Sequence, residues 1–216
     1  MDRAPIEEDS FHHVYNRGTD KRTIFEDGED YRRFLLYLNV LNDTQVESPN
    51  DFETLARREH DAPLAERLVN IVAFCLMPNH YHLLLHERTP GGISKFMQRL
   101  STAYTMYFNE KYERSGALFQ GRFKSKLVDD DEYIIKVIDY IHLNPKEFGL
   151  ISEYEWSSYH HYCGRKKFSR LLWKDDLTEF FEVPANYLSW IREQRNFDEV
   201  EHLKIDNAKK SLKIEG

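Results

Sequence analysis

The chain has 216 residues, 41% of them hydrophobic, which is enough for one buried core with a small appendage. No apolar run is long enough to span a membrane and the acidic N-terminus lacks a signal-peptide core, so we expect a cytoplasmic protein without a membrane partner. The two cysteines, Cys75 and Cys163, lie far apart and do not indicate a disulfide framework. The net charge of −7 is unusual for a nucleic-acid-binding protein, so the local distribution of charge matters more than its sum.

Hydrophobic patterns predict seven secondary-structure elements in the order βαββαβα. The predicted strands span residues 11–17, 69–77, 81–86 and 122–128, and the predicted helices span residues 27–41, 93–112 and 130–143. This order is typical of a four-stranded antiparallel sheet with helices on one face, so we predict an α+β fold.

The same pass along the chain predicts its domain organisation. One domain is expected over residues 1–150, with an acidic, polar insertion near residues 42–67. Residues 151–216 are predicted to form a C-terminal extension that is partly helical and ends in a polar tail; packing on the core is the favoured role, and a DNA-recognition appendage is the alternative.

A pair of histidines begins the third strand, directly after the turn formed by Pro78 and Asn79. Side chains alternate between the two faces of a strand, so His80 and His82 project together while Tyr81 points to the other face. Two imidazoles on one rigid strand can hold a divalent cation. A pair of hydrogen-bonded structural histidines is the alternative interpretation.

A tyrosine and an asparagine share the last turn of the helix predicted over residues 130–143. Tyr140 is a candidate nucleophile, and the amide oxygen of Asn144 is a candidate metal ligand. Pro145 should end this helix, because the residue before a proline avoids the helical region. The alternative is a core aromatic beside an ordinary helix stop.

Positive charge gathers between residues 88 and 126, where eight basic and two acidic residues give a local charge of +6. Aromatic residues interleave with these bases, as they do in proteins that stack on single-stranded nucleic acid. We expect phosphate contacts here rather than a merely solvated face. The residues predicted to bind DNA are Arg17, Lys21, Arg22, Arg99, Arg114, Arg122, Lys124 and Lys126.

Six sequence blocks, in this order, resemble the REP-associated tyrosine transposases, which are single-tyrosine transposases of the HUH class with an IS200-like domain. The resemblance covers roughly residues 10 to 160, and Tyr81 departs mildly from the aliphatic residue that is usual between the paired histidines. The blocks are residues 11–18, 77–84, 104–109, 116–123, 140–145 and 156–159.

The resemblance implies a ferredoxin-like core and an enzyme that cleaves and rejoins single-stranded or hairpin DNA through a 5′-phosphotyrosine. It implies Tyr140 as nucleophile, His80 and His82 as metal ligands, and Asn144 in the third-ligand position. The implied cofactor is Mg²⁺ or Mn²⁺, although two imidazoles alone would also suit Zn²⁺. Relatives act as monomers or homodimers, so both states stay open.

Two other functions remain open at this point. One is a metal-dependent nuclease that uses water, with Tyr140 merely packed; the other is a domesticated, non-catalytic nucleic-acid-binding protein. Tyr104 and Tyr107, on the preceding helix, are rival nucleophiles. If the transposase reading is right, the end of the Tyr140 helix should lie against the strand face that carries His80 and His82.

Overall fold

A computed structural model describes residues 9–44, 66–148 and 151–165, together with residues 168, 171–173 and 187. Within these residues, no helix is both long and apolar enough to cross a membrane. The strands are β1 (Phe11–Arg17), β2 (Val69–Met77), β3 (His80–Glu87) and β4 (Lys124–Val128). The helices are α1 (Gly28–Val40), α2 (Gly92–Lys111), α3 (Asp131–Leu143) and the single turn α4 (Tyr159–Tyr162).

The four strands form one antiparallel sheet in the order β2-β3-β1-β4. The predicted α+β class and ferredoxin-like core are therefore confirmed, with each predicted strand and helix present at nearly its predicted position. The sheet places β3, which begins at His80, between β2 and β1. The histidine pair consequently lies in the middle of the sheet rather than on an edge.

Aspartate caps explain where two of the helices begin. The Asp27 carboxylate accepts hydrogen bonds from the backbone N–H groups of Glu29 and Asp30, and the Asp30 side chain reciprocates, which completes a capping box. The Asp130 carboxylate likewise accepts from the N–H of Tyr133 at the start of α3. Both helices therefore begin one residue later than the hydrophobic pattern indicates.

The sheet is covered on both faces, which corrects the prediction that all helices lie on one face. Helices α1 and α2 pack on the face that carries Tyr81 and Leu83, whereas α3 packs on the face that carries Leu84. The reason is that β2 and β3 are buried on both sides, so each face needs its own layer. Tyr81 points to the face opposite the histidine pair, as predicted, and is fully buried there beneath α1 and α2.

Helix α3 ends at Leu143 as predicted, but the physical reason differs. Asn144 keeps helical dihedral angles (φ −50°, ψ −41°), so Pro145 does not force it into an extended conformation. Pro145 has no N–H to donate to the preceding turn, and the chain continues as a 3-10 helix over Asn144–Phe148. This continuation keeps Asn144 directly below Tyr140.

The C-terminal segment covers the outer edge of β2. The N–H of Leu76 donates to Trp156, the N–H of Ser158 donates to Phe74, and the N–H of Trp173 donates to Ile71. An unpaired sheet edge is thereby closed, which supports the prediction that this extension packs on the core. Most of the predicted insertion, most of the predicted extension beyond residue 165, and the polar tail lie outside the described residues.

Candidate active site

Strand register decides which side chains surround the histidine pair. In the antiparallel pairing of β1 with β3, Tyr15 lies opposite His82 and Arg17 lies opposite His80. Directly paired residues project on the same face of a sheet. The face covered by α3 therefore carries these four side chains together.

Strand β4 adds two lysines to this face. Lys124 pairs with Tyr15, and Lys126 pairs with His13. Both lysines were predicted to bind DNA, and the register brings them to the histidine face. Lys126 is close enough to His13 to disfavour protonation of that imidazole.

Tyr140 sits over the centre of this face, in the last turn of α3. Its ring centroid lies 5.5 Å from that of His82 and 5.7 Å from that of His13, both in edge-to-face geometry. Tyr140 is partly exposed rather than buried in the core. The expected approach of the Tyr140 helix to the histidine face is therefore present within a single chain.

Hydrogen bonds orient both histidines through Nδ1. The rings of His80 and His82 are 5.1 Å apart and nearly perpendicular. Nδ1 of His80 lies 2.6 Å from Oδ1 of Asn79, whose amide nitrogen donates to the Lys21 carbonyl. That amide orientation makes Oδ1 an acceptor, so Nδ1 of His80 carries the proton and its Nε2 carries the lone pair. Nδ1 of His82 lies 2.9 Å from Nε2 of His13.

The donor set around Tyr140 fits a divalent cation. His80 offers an Nε2 lone pair and His82 lies beside it, while Asn144 donates a 2.9 Å hydrogen bond from its Nδ2 to the Tyr140 carbonyl, so that Oδ1 is the acceptor atom of its side chain. Across the described part of the chain, no group of three or more His, Cys, Asp or Glu residues is placed to bind a metal. An ion held here would thus combine two imidazoles with an amide oxygen, water or phosphate.

His13 was not predicted as a site residue, although the structure places it at the centre. Its ring stacks on that of His82 at 5.1 Å with an interplanar angle of 16°. Burial, helped by the nearby charge of Lys126, lowers the pKa of His13 to about 3, so its ring is neutral at physiological pH. Its Nδ1 is buried and has no hydrogen-bond partner among the described residues.

A second tyrosine also lies beside the histidines. The ring of Tyr15 stacks on that of His82 at 5.7 Å and is 5.2 Å from that of His13. Burial raises the pKa of Tyr15, which disfavours its phenolate. The only signal that could have identified this residue is its register opposite His82, and register is not readable from one sequence.

The two rival tyrosines on α2 are remote from the histidines. Tyr104 is fully buried in the layer on the opposite face of the sheet, where its hydroxyl donates to the Ile24 carbonyl. Tyr107 donates to a buried carboxylate oxygen of Asp30 in that same layer. Neither hydroxyl is available on the histidine face.

Three backbone hydrogen bonds gather loops at the His80 end of the sheet. The N–H of Gly18 donates to the Asn79 carbonyl, the N–H of Thr19 donates to Leu118, and the N–H of Gln120 donates to Arg17. Gly18 permits this close approach, because a Cβ there would lie 2.3 Å from the Arg22 carbonyl oxygen. Arg17, at the end of β1, and four loop residues predicted to bind DNA therefore gather at one end of the sheet: Lys21, Arg22, Arg114 and Arg122.

Arg99 is the one predicted DNA-binding residue that the structure separates from this group. It lies on α2, and its guanidinium donates to the carbonyl oxygens of Leu41 and Asp43, just beyond the end of α1. These bonds tie α2 to the loop that follows α1, on the opposite face of the sheet from Tyr140. A structural role accounts for them.

A buried polar network ties α3 to the C-terminal segment. The hydroxyl of Tyr187 donates to Asp139 at 2.8 Å and lies 2.8 Å from Nδ1 of His142. Nε2 of His142 lies 2.7 Å from the Ser158 hydroxyl, which also bonds to the backbone of β2. These satisfied contacts hold the helix that carries Tyr140 in place against the sheet.

The chain is similar in sequence or in fold to known transposases. Residues 61–144 match the family described as Transposase IS200 like. A Haemophilus influenzae protein provisionally named a REP-associated tyrosine transposase is 30% identical over 105 residues, which cover 41% of this chain and 58% of that protein. The solved structure of a REP-associated tyrosine transposase bound to a REP hairpin matches with a TM-score of 0.50 and 16% identity, over 82% of this chain and 92% of that one.

These matches differ in what they establish. This chain covers 58% of the length of its Haemophilus influenzae relative, so the match does not establish that protein's activity for this chain. The solved structure, at 16% identity, establishes the shared fold. The sequence match over residues 61–144 includes both histidines, Tyr140 and Asn144.

Proposed function

We propose that this chain, which is similar to IS200-like and REP-associated tyrosine transposases, cleaves and rejoins single-stranded DNA with Tyr140 as nucleophile. The observation that carries this proposal is the 5.5 Å approach of the Tyr140 ring to the His82 ring. It occurs on the sheet face to which His80 also projects, beside the two lysines of β4. A nucleophile, a metal-type donor pair and phosphate-binding charge are thus neighbours.

The proposed reaction exchanges one phosphodiester for another. The phenolic oxygen of Tyr140 attacks phosphorus, and the bond from phosphorus to the 3′-oxygen breaks. The products are a 5′-phosphotyrosine and a 3′-hydroxyl, which takes up the proton that the phenol loses. Attack by the 3′-hydroxyl of a second strand reverses the reaction and rejoins DNA without a nucleotide triphosphate.

His80 and His82 would hold a divalent cation, Mg²⁺ or Mn²⁺, with Oδ1 of Asn144 as a third ligand. When bound, such an ion withdraws negative charge from the scissile phosphate. The protein's own contribution is placement. Asn79 orients the imidazole of His80, and α3 holds Tyr140 against the pair. The basic residues at the His80 end of the sheet would bind the phosphates on either side of the cleaved one; they are Arg17, Lys21, Arg22, Arg114 and Arg122.

Hairpin DNA is the proposed substrate class. The solved relative is bound to a REP hairpin, and its fold is shared over 82% of this chain. The basic residues of this chain lie on both the loops and β4, so they can follow a strand from the end of the sheet across the histidine face. A hairpin with a single-stranded flank suits such a path.

A covalent-adduct assay tests the proposal. The full chain is incubated with hairpin-bearing single-stranded DNA and Mg²⁺ or Mn²⁺, and a denaturing protein gel is run. We expect a DNA–protein adduct that EDTA prevents and that Tyr140→Phe abolishes. Tyr15→Phe and Tyr104→Phe are the matched controls, one beside the histidines and one on the opposite face, and both should retain the adduct.

Three other outcomes would overturn the proposal. Metal-dependent cleavage without an adduct would indicate a nuclease that uses water. Binding without cleavage would indicate a non-catalytic nucleic-acid-binding protein. An adduct that persists in Tyr140→Phe but is lost in Tyr15→Phe would assign the nucleophile to β1 instead of α3.

A further inference from the structure

The hydrogen bond between His13 and His82 has two possible directions. Both rings contribute one nitrogen to a 2.9 Å contact, and only one of the two nitrogens carries the proton. If His82 donates from Nδ1, its Nε2 keeps a lone pair that can bind a metal. If His13 donates from Nε2, the Nε2 of His82 carries a proton and cannot bind a metal. The direction of this bond therefore decides whether His82 is ready to act as a ligand.

The hydrogen bond of His80 has only one possible direction. Its Nδ1 faces Oδ1 of Asn79, which can only accept, so in the neutral ring the lone pair is on Nε2. Metal-binding histidines commonly donate their second N–H to an outer partner in this way, which fixes both the tautomer and the ring orientation. The two histidines become equivalent only if His13 acts as an acceptor as Asn79 does.

We propose that His13 is a positioning residue that accepts the hydrogen bond from Nδ1 of His82 and thereby presents Nε2 of His82 to the cation. This inference rests on the proposed function, because it concerns the metal that His82 would bind. His13 acts through His82 and does not itself touch the ion or the DNA.

The packing of His13 supports this role. The ring is only 1% exposed and is held by stacking on His82 and by the edge of Tyr140. These contacts leave the ring no room to act as a mobile acid or base and hold its Nε2 towards Nδ1 of His82. Its orientation is therefore suited to fixing the orientation of its neighbour.

An apolar side chain would serve better if packing were the only requirement. The register partner of His13 on β3 is Leu84, which is fully buried, so this part of the sheet accommodates aliphatic residues. The Nδ1 of His13 is buried with no hydrogen-bond partner in the described part of the chain, and such a group costs about 1–3 kcal/mol. A function at Nε2 explains why an imidazole is present despite this cost.

The test measures metal binding and tautomer separately from catalysis. Mn²⁺ affinity of the DNA-free protein is measured by calorimetry for the wild type, His13→Leu and His13→Gln, and long-range ¹⁵N NMR identifies the His82 tautomer in the metal-free wild type. We expect His13→Leu to weaken Mn²⁺ binding by about 10–100-fold, the usual effect of losing an outer partner. His13→Gln, whose amide oxygen can accept, should retain most of the affinity.

His12→Leu is the matched control. His12 is equally buried on β1, but its ring bonds to Ser125 and Ser10 on the other face of the sheet. It should leave the Mn²⁺ affinity unchanged, which separates loss of the His13 contact from general damage to β1.

The possible results separate this inference from the proposed function. A wild type that binds Mn²⁺ and forms the adduct, with unchanged affinity in His13→Leu, would overturn the role of His13 alone. A wild type that binds no Mn²⁺ and forms no adduct would overturn the proposed function as well. If His13→Leu does not fold, the NMR measurement decides, because a metal-free wild type with the proton on Nε2 of His82 contradicts the inference.

Discussion

The two faces of the sheet are built by the same strands and do different work. The face beneath α1 and α2 is closed by large apolar and aromatic side chains, of which Tyr81 and Tyr104 are fully buried. The face beneath α3 carries the partly exposed His80 and the buried His82, with the partly exposed Tyr140 of α3 above them and lysines of β4 beside them. One layer supplies stability and the other supplies candidate chemistry.

Side chains alternate between the two faces along β3, so neighbouring residues of this strand belong to different layers. His80 and His82 face α3, whereas Tyr81 and Leu83 face the core of α1 and α2. A slip of one residue in the pairing would exchange the two sets. Substitutions at neighbouring positions of β3 should therefore separate catalysis from stability.

The largest expected contrast lies between positions 82 and 83. His82→Ala should lower the rate of adduct formation by more than about 100-fold, because losing a ligand costs at least as much as losing an outer partner. Leu83→Ala should lower the free energy of unfolding by about 2–5 kcal/mol, since Leu83 is fully buried. Denaturant unfolding and adduct assays, run where both variants are folded, measure the two effects.

Either of two results would contradict the distinction between the faces. One is a near-normal rate of adduct formation in His82→Ala; the other is a large loss of that rate per folded molecule in Leu83→Ala.

The second-largest expected effect is a loss of folding stability in acid. It is caused by His142, which belongs to the buried polar network between α3 and the C-terminal segment. Burial lowers the pKa of His142 to about 3, below the usual value of 6.5. Between these pH values the unfolded chain binds a proton that the folded ring does not, so stability is full above about pH 6.5 and falls as the pH drops. We expect His142 to account for a loss of about 2 kcal/mol between pH 7 and pH 5.

His142→Gln tests this assignment by urea denaturation at pH 7 and at pH 5. The variant should be less stable than the wild type at pH 7 but should lose less stability on acidification. Some pH dependence should remain, because burial also lowers the pKa of His12 to about 4. An identical acid loss in the variant and the wild type would mean that His142 is not responsible.

The smallest expected effect compares basic residues on the two sides of the sheet. Lys124→Gln or Lys126→Gln should weaken hairpin binding modestly and reduce the salt dependence of the affinity by about one phosphate contact. Arg99→Gln should leave DNA affinity unchanged, because Arg99 bonds to the loop after α1. Fluorescence anisotropy across a salt series measures each. Equal losses in Arg99→Gln and Lys124→Gln would place DNA on the α1–α2 side as well.

Local patterns were sufficient to predict most of the fold. Periodicity located every strand and helix of the sheet domain, and alternation correctly placed His80 and His82 on one face with Tyr81 on the other. The helical spacing of Tyr140 and Asn144 predicted their shared turn. These features depend on neighbours in sequence, so a single chain is enough to read them.

Features that depend on distant pairing were missed. The face that α3 covers is set by tertiary packing, because β2 is apolar on both of its faces and allows a layer on either side. His13 and Tyr15 join the site through the register of β1 against β3, and β1 is buried on both faces over much of its length, so its pattern does not indicate an orientation. Arg99 was grouped with the other basic residues because it is close to them in sequence. Position in the sequence does not indicate which face of the sheet a residue lies on.

The most direct measurement is to locate the DNA-linked residue by tandem mass spectrometry of the adduct formed on hairpin-bearing single-stranded DNA. We predict a nucleotide attached to Tyr140 and an unmodified Tyr15, although both rings lie within 6 Å of His82. Attachment at Tyr15, or the absence of any modified tyrosine despite DNA cleavage, would contradict the central claim that α3 supplies the nucleophile to the histidine face.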